Sequence, residues 1–400
     1  VYGMGLTQHR NGVQNVTMLV NLLLLRGNIG KPGAGICPVR GHSNVQGQRT
    51  VGITEKPELA PLDKLKEQYG FEPPRTKGRN TVEACEAILA RKVPAFVALG
   101  GNFLRAVPET VLMEAAWREI PLTVQIATKL NRNHVIHGKA SYLLPCLGRI
   151  EVDRQAGGEQ AVSVEDSTAC IHGSRGMAAP AANSLLSEPA IVAGIARATL
   201  DPNPRVDWDG WVADYGTIRE AIAETYPDIF RDFNARMWTP GGFRKPVGAA
   251  HRVFKTASGK AEFTVPEGLP GDPDLGGGLT TMRLFTVRSD GQFNTTIYSF
   301  DDRFRGVYGS RMVLFMGRAD MAKRALAQGD LVTLRSATDD GVERRVAGLA
   351  VVPYDIPEGT IAGYFPECNP LIPLWHHAKE SKVPAAKAID VFVERSGSTA

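Results

Sequence analysis

The residues best suited to chemistry lie in a glycine-rich stretch, residues 28–52. Because glycine lets the main chain approach a ligand closely and adopt positive φ angles, such a stretch presents backbone N–H groups to whatever it binds. A long surface loop is the alternative interpretation when the stretch is considered alone. Its polar side chains suit a ligand with phosphates and a hydrogen-bonding heterocycle: Lys31, Arg40, His42, Ser43, Asn44, Gln46, Gln48 and Arg49.

A second group of candidate residues follows two predicted strands. We predict strands at residues 95–99 and 122–127, with a helix beginning at Pro108 between them. This strand–helix–strand pattern indicates a parallel sheet, and nucleotides bind at the carboxyl ends of such strands. An ordinary tight turn is the alternative at the first of these ends. The residues at the two strand ends are Gly100, Gly101, Asn102 and Thr128.

Two helices are predicted to position these groups. The first carries apolar residues at helical spacing between residues 16 and 24, with Asn11 or Asn15 as its cap and Gly27 ending it. It runs directly into the glycine-rich stretch. The second opens at Asn80, because Asn80 and Glu83 have the spacing of a capping box.

The chain changes character after its middle. Proline and glycine are dense around residues 239–279, which indicates a boundary between domains. Beyond it, short runs rich in β-formers succeed one another without long helices between them, which favours a β-barrel. We therefore predict an α/β domain over residues 1–245, a linker over residues 246–278 and a barrel domain over residues 279–400.

Charge and cysteine spacing exclude several functions. A net charge of +4 with no block of basic residues argues against nucleic-acid binding, though it suits an anionic ligand. The five cysteines form no CxxC pair, so an iron–sulfur cluster or zinc ribbon within this segment is not expected. No apolar run is long enough to span a bilayer. Two histidine pairs, His134/His137 and His376/His377, have no evident third ligand, so we predict no metal ligand in the chain. Reduced thiols suit a cytoplasmic location.

Three motifs in the first fifty residues carry a family resemblance. They are GMGLTQH at residues 3–9, NLLLLRGNIGKPGAG at residues 21–35 and PVRGHSNVQG at residues 38–47. Together they resemble the molybdopterin oxidoreductases, and most closely the formate dehydrogenase-like alpha subunits of the dimethyl sulfoxide reductase superfamily. The resemblance continues to the C-terminus. It implies a Rossmann-like parallel-sheet domain followed by a six-stranded barrel of double-psi type, and it marks the chain as the C-terminal portion of a longer polypeptide.

The cofactor that this resemblance implies is molybdenum held by two molybdopterin guanine dinucleotides. The resemblance implies that Gln8 and His42 lie at the catalytic centre. His42 could tune the redox state of the pterin or move a proton, and the alternative is that it only forms a hydrogen bond. The residues it implies around the cofactor are Gly5, Thr7, Arg40, Gly41, Asn44, Gln46, Gly100, Gly101, Asn102, Thr128, Arg288, Gln292, Asn294, Thr295, Asn369 and Lys387.

The resemblance also implies an activity. It is a two-electron oxidoreduction of a small anionic substrate such as formate, with an electron-transfer partner. The metal ligand and an iron–sulfur cluster are expected upstream of Val1, so we predict that this segment alone is inactive. An oxyanion or S/N-oxide reductase of the same superfamily is one alternative. A cofactor-free interaction or regulatory protein is the other, and the intact glycine-rich stretch argues against it.

Overall fold

The structure is a computed structural model. It describes residues 1–39, 42, 44–266 and 280–396. Arg40 and Gly41, both predicted to bind the cofactor, lie outside the described residues, as does the last part of the predicted linker. Among the described residues, no helix has the length and apolar character needed to cross a membrane.

Most helices of the described residues lie in the first 245 positions, and α14 (Arg318–Lys323) lies in the barrel part. Their bounds are α1 (Met4–Thr7), α2 (Gly12–Leu25), α3 (Val45–Thr50), α4 (Leu62–Tyr69), α5 (Thr81–Leu89), α6 (Phe103–Ala106), α7 (Thr110–Trp117), α8 (Arg132–Val135), α9 (Glu188–Thr199), α10 (Trp208–Ala213), α11 (Tyr215–Thr225), α12 (Pro227–Phe230), α13 (Phe233–Arg236) and α14 (Arg318–Lys323).

The strands fall into five groups. Their bounds are β1 (Ala95–Leu99), β2 (Leu122–Ala127), β3 (Ala140–Pro145), β4 (Arg154–Gln155), β5 (Gly158–Glu159), β6 (Val162–Glu165), β7 (Cys170–Ser174), β8 (Phe243–Arg244), β9 (Met282–Val287), β10 (Gln292–Phe293), β11 (Thr296–Ile297), β12 (Val313–Met316), β13 (Leu331–Ser336), β14 (Arg345–Pro353), β15 (Thr360–Tyr364) and β16 (Ile389–Arg395).

Strands β1 and β2 form the predicted parallel sheet, and β3, which the sequence did not predict as a strand, joins it beside β2. One face packs on α5 and α7, where Phe96 lies 4.8 Å from Trp117 between ring centroids. The opposite face packs on α9 through Ile126 and Ile191. The capping box predicted at Asn80 and Glu83 is confirmed at the start of α5. The two predicted strands, residues 95–99 and 122–127, are confirmed with the same bounds.

The helix predicted to begin at Pro108 begins instead at Thr110, so that prediction was wrong. Val107 ends α6 in an extended conformation, and Glu109 caps α7 with a φ of +58°. A residue in the left-handed region cannot continue a right-handed helix, and the helix therefore starts only after Glu109.

The last part of the chain, from β9 to β16, closes into the predicted barrel. Its six strands follow the order β12-β14-β13-β16-β9-β15, with β12 and β15 closing the ring. Alternate residues of β9 and most of β12 and β15 are buried, because each strand turns side chains inward. The core includes Leu284, Leu314, Leu334 and Ile361.

The barrel packs directly on the α/β part. Leu374, which follows β15, belongs to the same buried cluster as α5 and α7. The side-chain amide of Asn369 donates to the carbonyl oxygens of Arg105 and Val107 at 3.0 and 2.6 Å. These contacts hold the turn after β1 against the barrel, and so position the cleft described next.

Candidate functional site

A cavity of about 670 Å³ lies where the α/β part meets the barrel. Its walls include Gly100, Gly101 and Asn102 at the carboxyl end of β1. Across from them stand Asn294, in the turn between β10 and β11, and residues 381–384, which precede β16. The fold thus brings together predicted site residues that are almost 200 positions apart in the sequence.

The turn after β1 owes its shape to two glycines. Gly100 and Gly101 have φ angles of +71° and +82°, which glycine adopts without the steric cost that a Cβ imposes. The turn is fixed by two hydrogen bonds: Gly100 N donates to Ile126 O at 2.8 Å, and Asn131 Nδ2 donates to Gly101 O at 2.9 Å. The next residue, Asn102, has a buried Oδ1 with no hydrogen-bond partner among the described residues.

A second cavity, of about 460 Å³, lies at the ends of β2 and β3. It takes in Thr128 and Asn44, so Thr128 does not share the first cavity with Gly100. Its floor is a hydrogen-bonded group in which Tyr215 Oη donates to Asp153 Oδ2 at 2.6 Å and lies 2.6 Å from Ser187 Oγ. Burial raises the pKa of Tyr215 above its usual value, so the hydroxyl keeps its proton and remains a donor.

The glycine-rich stretch is anchored beside this second cavity. Asn44 Oδ1 accepts a hydrogen bond from Glu165 N at 3.0 Å, and Gln46 Nε2 donates to Asp166 O at 3.0 Å. The Oε1 atom of Gln46 is buried and finds no partner in the described part of the chain. His42 is exposed.

The N-terminal motif lies against the barrel. Gly5 and Thr7 belong to α1, and Gln8 follows directly. The Gln8 side chain is 8% exposed, and its Oε1 is a buried acceptor without a partner among the described residues. Its backbone carbonyl accepts a hydrogen bond from the Lys387 N–H at 3.1 Å. Two residues predicted to flank the cofactor, Gln8 and Lys387, are therefore neighbours.

Of the predicted barrel residues, Asn294 lines the first cavity, whereas Gln292 and Asn369 hold neighbouring segments in place. Gln292 braces the loop after β9: its Oε1 accepts from Ser289 N at 3.0 Å, and its Nε2 donates to Asn294 O at 2.7 Å. Asn294 itself turns toward the first cavity, with Thr295 next in the chain. Asn369 is buried, and its amide nitrogen is used between the barrel and the α/β part, as described above. The structure thus brings Asn294 to the cavity and places the amides of Gln292 and Asn369 in supporting contacts.

Three cations gather at one end of the barrel: Arg288, Arg305 and Lys387. Burial, and then the charges of Arg288 and Arg305, lower the pKa of Lys387 to about 8. Burial also lowers the pKa of Arg288, whose guanidinium lies 4.3 Å from the centre of the Phe365 ring. The Nε and Nη1 atoms of Arg288 are buried and have no acceptor among the described residues. An anion placed here would be stabilised by the charges of Arg288 and Lys387, since Arg305 is already paired with Asp302.

Sequence reasoning missed Arg305. Its Nη1 donates to the carbonyl of Arg288 at 3.0 Å and to Asp302 at 2.6 Å, so it holds the backbone of the cationic group in place. Its position three residues after an aspartate in a run of charged residues, 301–305, was the available signal.

The donors and acceptors fit a dinucleotide of the predicted kind. The orphaned amide oxygens of Gln8, Gln46 and Asn102 would accept from heterocycle N–H groups, and the free N–H groups of Arg288 would donate to phosphate. Among the described residues no cluster of three His, Cys, Asp or Glu side chains has the geometry to hold a metal ion.

Comparisons with known proteins add a family context. No family model matches the chain. It is 47% identical to Protein YdeP of Escherichia coli K12 over 397 residues, which is 99% of this chain and 52% of YdeP. It is 46% identical to a Mycobacterium tuberculosis H37Rv protein named Uncharacterized oxidoreductase Rv2900c, over 98% of this chain and 50% of that protein. The chain thus spans about half the length of these curated relatives.

A shorter stretch matches a third relative. Over 111 residues, 25% of this chain and 11% of the relative, it is 35% identical to a Bacillus subtilis protein named Putative formate dehydrogenase YrhE. Among solved structures, the acetylene hydratase from Pelobacter acetylenicus superposes on 88% of this chain and 50% of its own, with a TM-score of 0.54 and 16% identity. The two share a fold. At this level of identity the superposition extends to the architecture alone.

Proposed function

We propose that this chain is the cofactor-binding portion of a molybdenum-dependent oxidoreductase that carries two molybdopterin guanine dinucleotides. The motifs at residues 3–9, 21–35 and 38–47 support the cofactor class. Relatives named as oxidoreductases, one of them 46% identical over nearly the whole chain, support the reaction class. The division into an α/β domain, a linker and a barrel domain belongs to the same proposal.

One observation carries the proposal furthest. Four residues chosen from sequence for cofactor contact, Gln8, Gln46, Asn102 and Arg288, each keep a buried polar atom with no partner among the described residues. A buried polar group without a hydrogen bond costs about 1–3 kcal/mol, so proteins seldom leave one unless a ligand or water completes it. Asn102 lines the first cavity, Arg288 belongs to the cationic group and Gln8 contacts Lys387 of that group, which suits a large ligand with several polar parts.

Each residue has a role that follows from its atoms. Asn102 and Asn294 would bind a guanosine in the first cavity, with Gly100 and Gly101 allowing the close approach. Thr128 and Asn44 would do the same in the second cavity. Arg288 and Lys387 would neutralise phosphate or an anionic substrate. When bound, the molybdenum centre would supply the two-electron chemistry, while the protein binds and orients the reactants.

Formate is the substrate that we propose first. The local similarity to a protein named Putative formate dehydrogenase supports it, as does the positive charge near Gln8. His42, exposed in the glycine-rich stretch, is the proposed proton carrier. An iron–sulfur cluster and an electron acceptor belong to the same proposal, beyond the residues of this chain.

The decisive test measures the cofactor before any activity. The intact polypeptide that the gene encodes is purified from a host that makes the cofactor, and its molybdenum and released guanine nucleotide are quantified. We expect about one molybdenum and two guanine nucleotides per chain. If both are absent, the proposal is wrong. If both are present, formate oxidation is assayed with an artificial electron acceptor, and loaded protein that leaves formate unchanged would reject the substrate while keeping the cofactor.

A further inference from the structure

The parallel sheet has one face that is only partly covered. The register aligns three rows of apolar residues on the α9 side of the sheet: Ala95, Leu122 and Ala140; Val97, Val124 and Tyr142; Leu99, Ile126 and Leu144. Helix α9 packs on Ile126 and Leu144 at one end of the last row. Four of the residues that α9 leaves uncovered are Val97, Leu99, Val124 and Tyr142, and we call these four the open face.

The open face is exposed to an unusual degree for a parallel sheet. Val97 is 57% exposed, Leu99 is 53% exposed and Tyr142 is 61% exposed. Their neighbours on the opposite face, such as Phe96 and Thr123, pack under α5, α7 and the turn before β3. Parallel sheets normally have both faces buried, and contiguous exposed apolar residues mark an interaction site. The open face therefore lacks a covering layer.

We infer that the open face is covered by a segment of the same polypeptide, corresponding to the part of the curated relatives that this chain does not match. The match takes in 99% of this chain but 52% of YdeP, so the relatives carry a second portion of similar length. A second portion of that size is large enough to supply a helical layer. The side chains offered by the open face are aliphatic and aromatic, so the segment presents an apolar face.

The covering segment would also close the first cavity. Val97 lies on the open face and, at the same time, lines that cavity beside Gly100 and Asn102. A layer over Val97 and Leu99 would shield the turn after β1 from solvent, where water competes with protein–ligand hydrogen bonds. This inference stands independently of which ligand the cavity takes.

Cysteine labelling tests the inference. Tyr142→Cys and Val111→Cys are made separately, both in the intact polypeptide that the gene encodes and in the 1–400 chain, and alkylation of each is timed against the parent protein. Val111 is 75% exposed on α7, away from the open face, and serves as the matched control. We expect the cysteine at position 142 to react at least tenfold more slowly in the intact polypeptide than in the 1–400 chain. The cysteine at position 111 should react equally fast in both.

Each other outcome overturns the inference. Equal labelling at position 142 in both proteins would mean that the open face stays exposed. Slow labelling in the 1–400 chain together with a dimeric mass would assign the face to a second copy. A further variant, Val97→Asp combined with Tyr142→Cys, tests the packing itself: a buried charge should displace the covering layer, so the cysteine at position 142 of the intact polypeptide should react at least tenfold faster. If the alkylation rate does not rise, and the circular dichroism of the variant matches that of the parent, then no covering layer packs on Val97.

Discussion

Arg344 and Glu109 are 235 residues apart in the chain and form a two-bond ion pair between the barrel and the α/β part. Arg344 Nη2 donates to Glu109 Oε1 at 2.6 Å, and Arg344 Nε donates to Oε2 at 3.1 Å. Their side chains are 3% and 7% exposed. The same carboxylate accepts from Leu374 N at 3.0 Å, so one buried charge ties three segments together beside the first cavity.

Removing one member of this pair should be costly. In Arg344→Ala, the Glu109 carboxylate would remain buried without its partner, and we expect the free energy of unfolding to fall by about 3–5 kcal/mol. Chemical denaturation measures the change. Arg345→Ala is the matched control, because the neighbouring Arg345 forms an exposed pair with Glu343 that is worth at most about 1 kcal/mol. Equal losses in the two variants would show that burial of the pair is unimportant.

The same pair explains what the sequence could and could not predict. The capping box of Asn80 and Glu83 was predictable because both partners lie within one helical turn. Strands β1 and β2 were predictable because they are short β-rich runs bounded by turn residues. The start of α7 was not, since Glu109 adopts its left-handed conformation where its carboxylate binds a barrel residue far away in the chain.

The candidate site follows the same pattern: its local features were predictable from the sequence, and its long-range contacts were not. Glycines and amides at Gly100, Gly101 and Asn102 were predictable because the end of a parallel strand is a local feature. The position of Asn102 opposite Asn294 depends on how the α/β part packs on the barrel, and residue spacing carries no record of that packing. Arg305 acts through the carbonyl of Arg288, a backbone contact that side-chain patterns do not reveal.

Gly101 has room for a methyl group, but its backbone conformation is unfavourable for any residue that carries a Cβ. A Cβ there would meet no atom within 4 Å, whereas the φ of +82° is unfavourable for alanine. We expect Gly101→Ala to lower the free energy of unfolding by about 1–2 kcal/mol. Gly194→Ala is the control, because Gly194 lies within α9 with open space around it and alanine should there stabilise by about 0.5–1 kcal/mol. A stabilising effect at both positions would contradict the conformational argument.

Lys387 should make stability depend on pH. Its pKa is lowered to about 8 in the folded chain by burial and by the charges of Arg288 and Arg305, against about 10.4 when unfolded. The unfolded chain therefore binds more protons between these values, so the wild type should gain stability as pH rises from 8 to 10 and lose the same amount as pH falls back to 8, with little further change below that.

The variant Lys387→Met isolates this contribution. The difference in free energy of unfolding between wild type and variant, measured by denaturation at pH 7, 8, 9 and 10, should shift toward the wild type with rising pH. Lys129→Met, which removes an exposed lysine, serves as the control and should show no such trend. A flat difference for Lys387→Met would mean that the amine has its ordinary pKa.

Arg288 should decide whether an anion binds at the end of the barrel. Its free N–H groups are buried beside Lys387, so Arg288→Ala removes donors that no neighbouring group replaces. We expect the guanine nucleotide retained by the purified intact polypeptide to fall at least tenfold, in line with the loss of a charge-assisted hydrogen bond of about 1.5–3 kcal/mol. The matched variant is Arg303→Ala, between β11 and β12, where the side chain is 73% exposed and pairs with Asp290 at 3.5 Å. Because surface pairs of that kind add little, Arg303→Ala should retain the nucleotide of the wild type. Full retention by Arg288→Ala, with molybdenum unchanged, would remove Arg288 from the site and leave the cationic group a purely structural feature of the barrel.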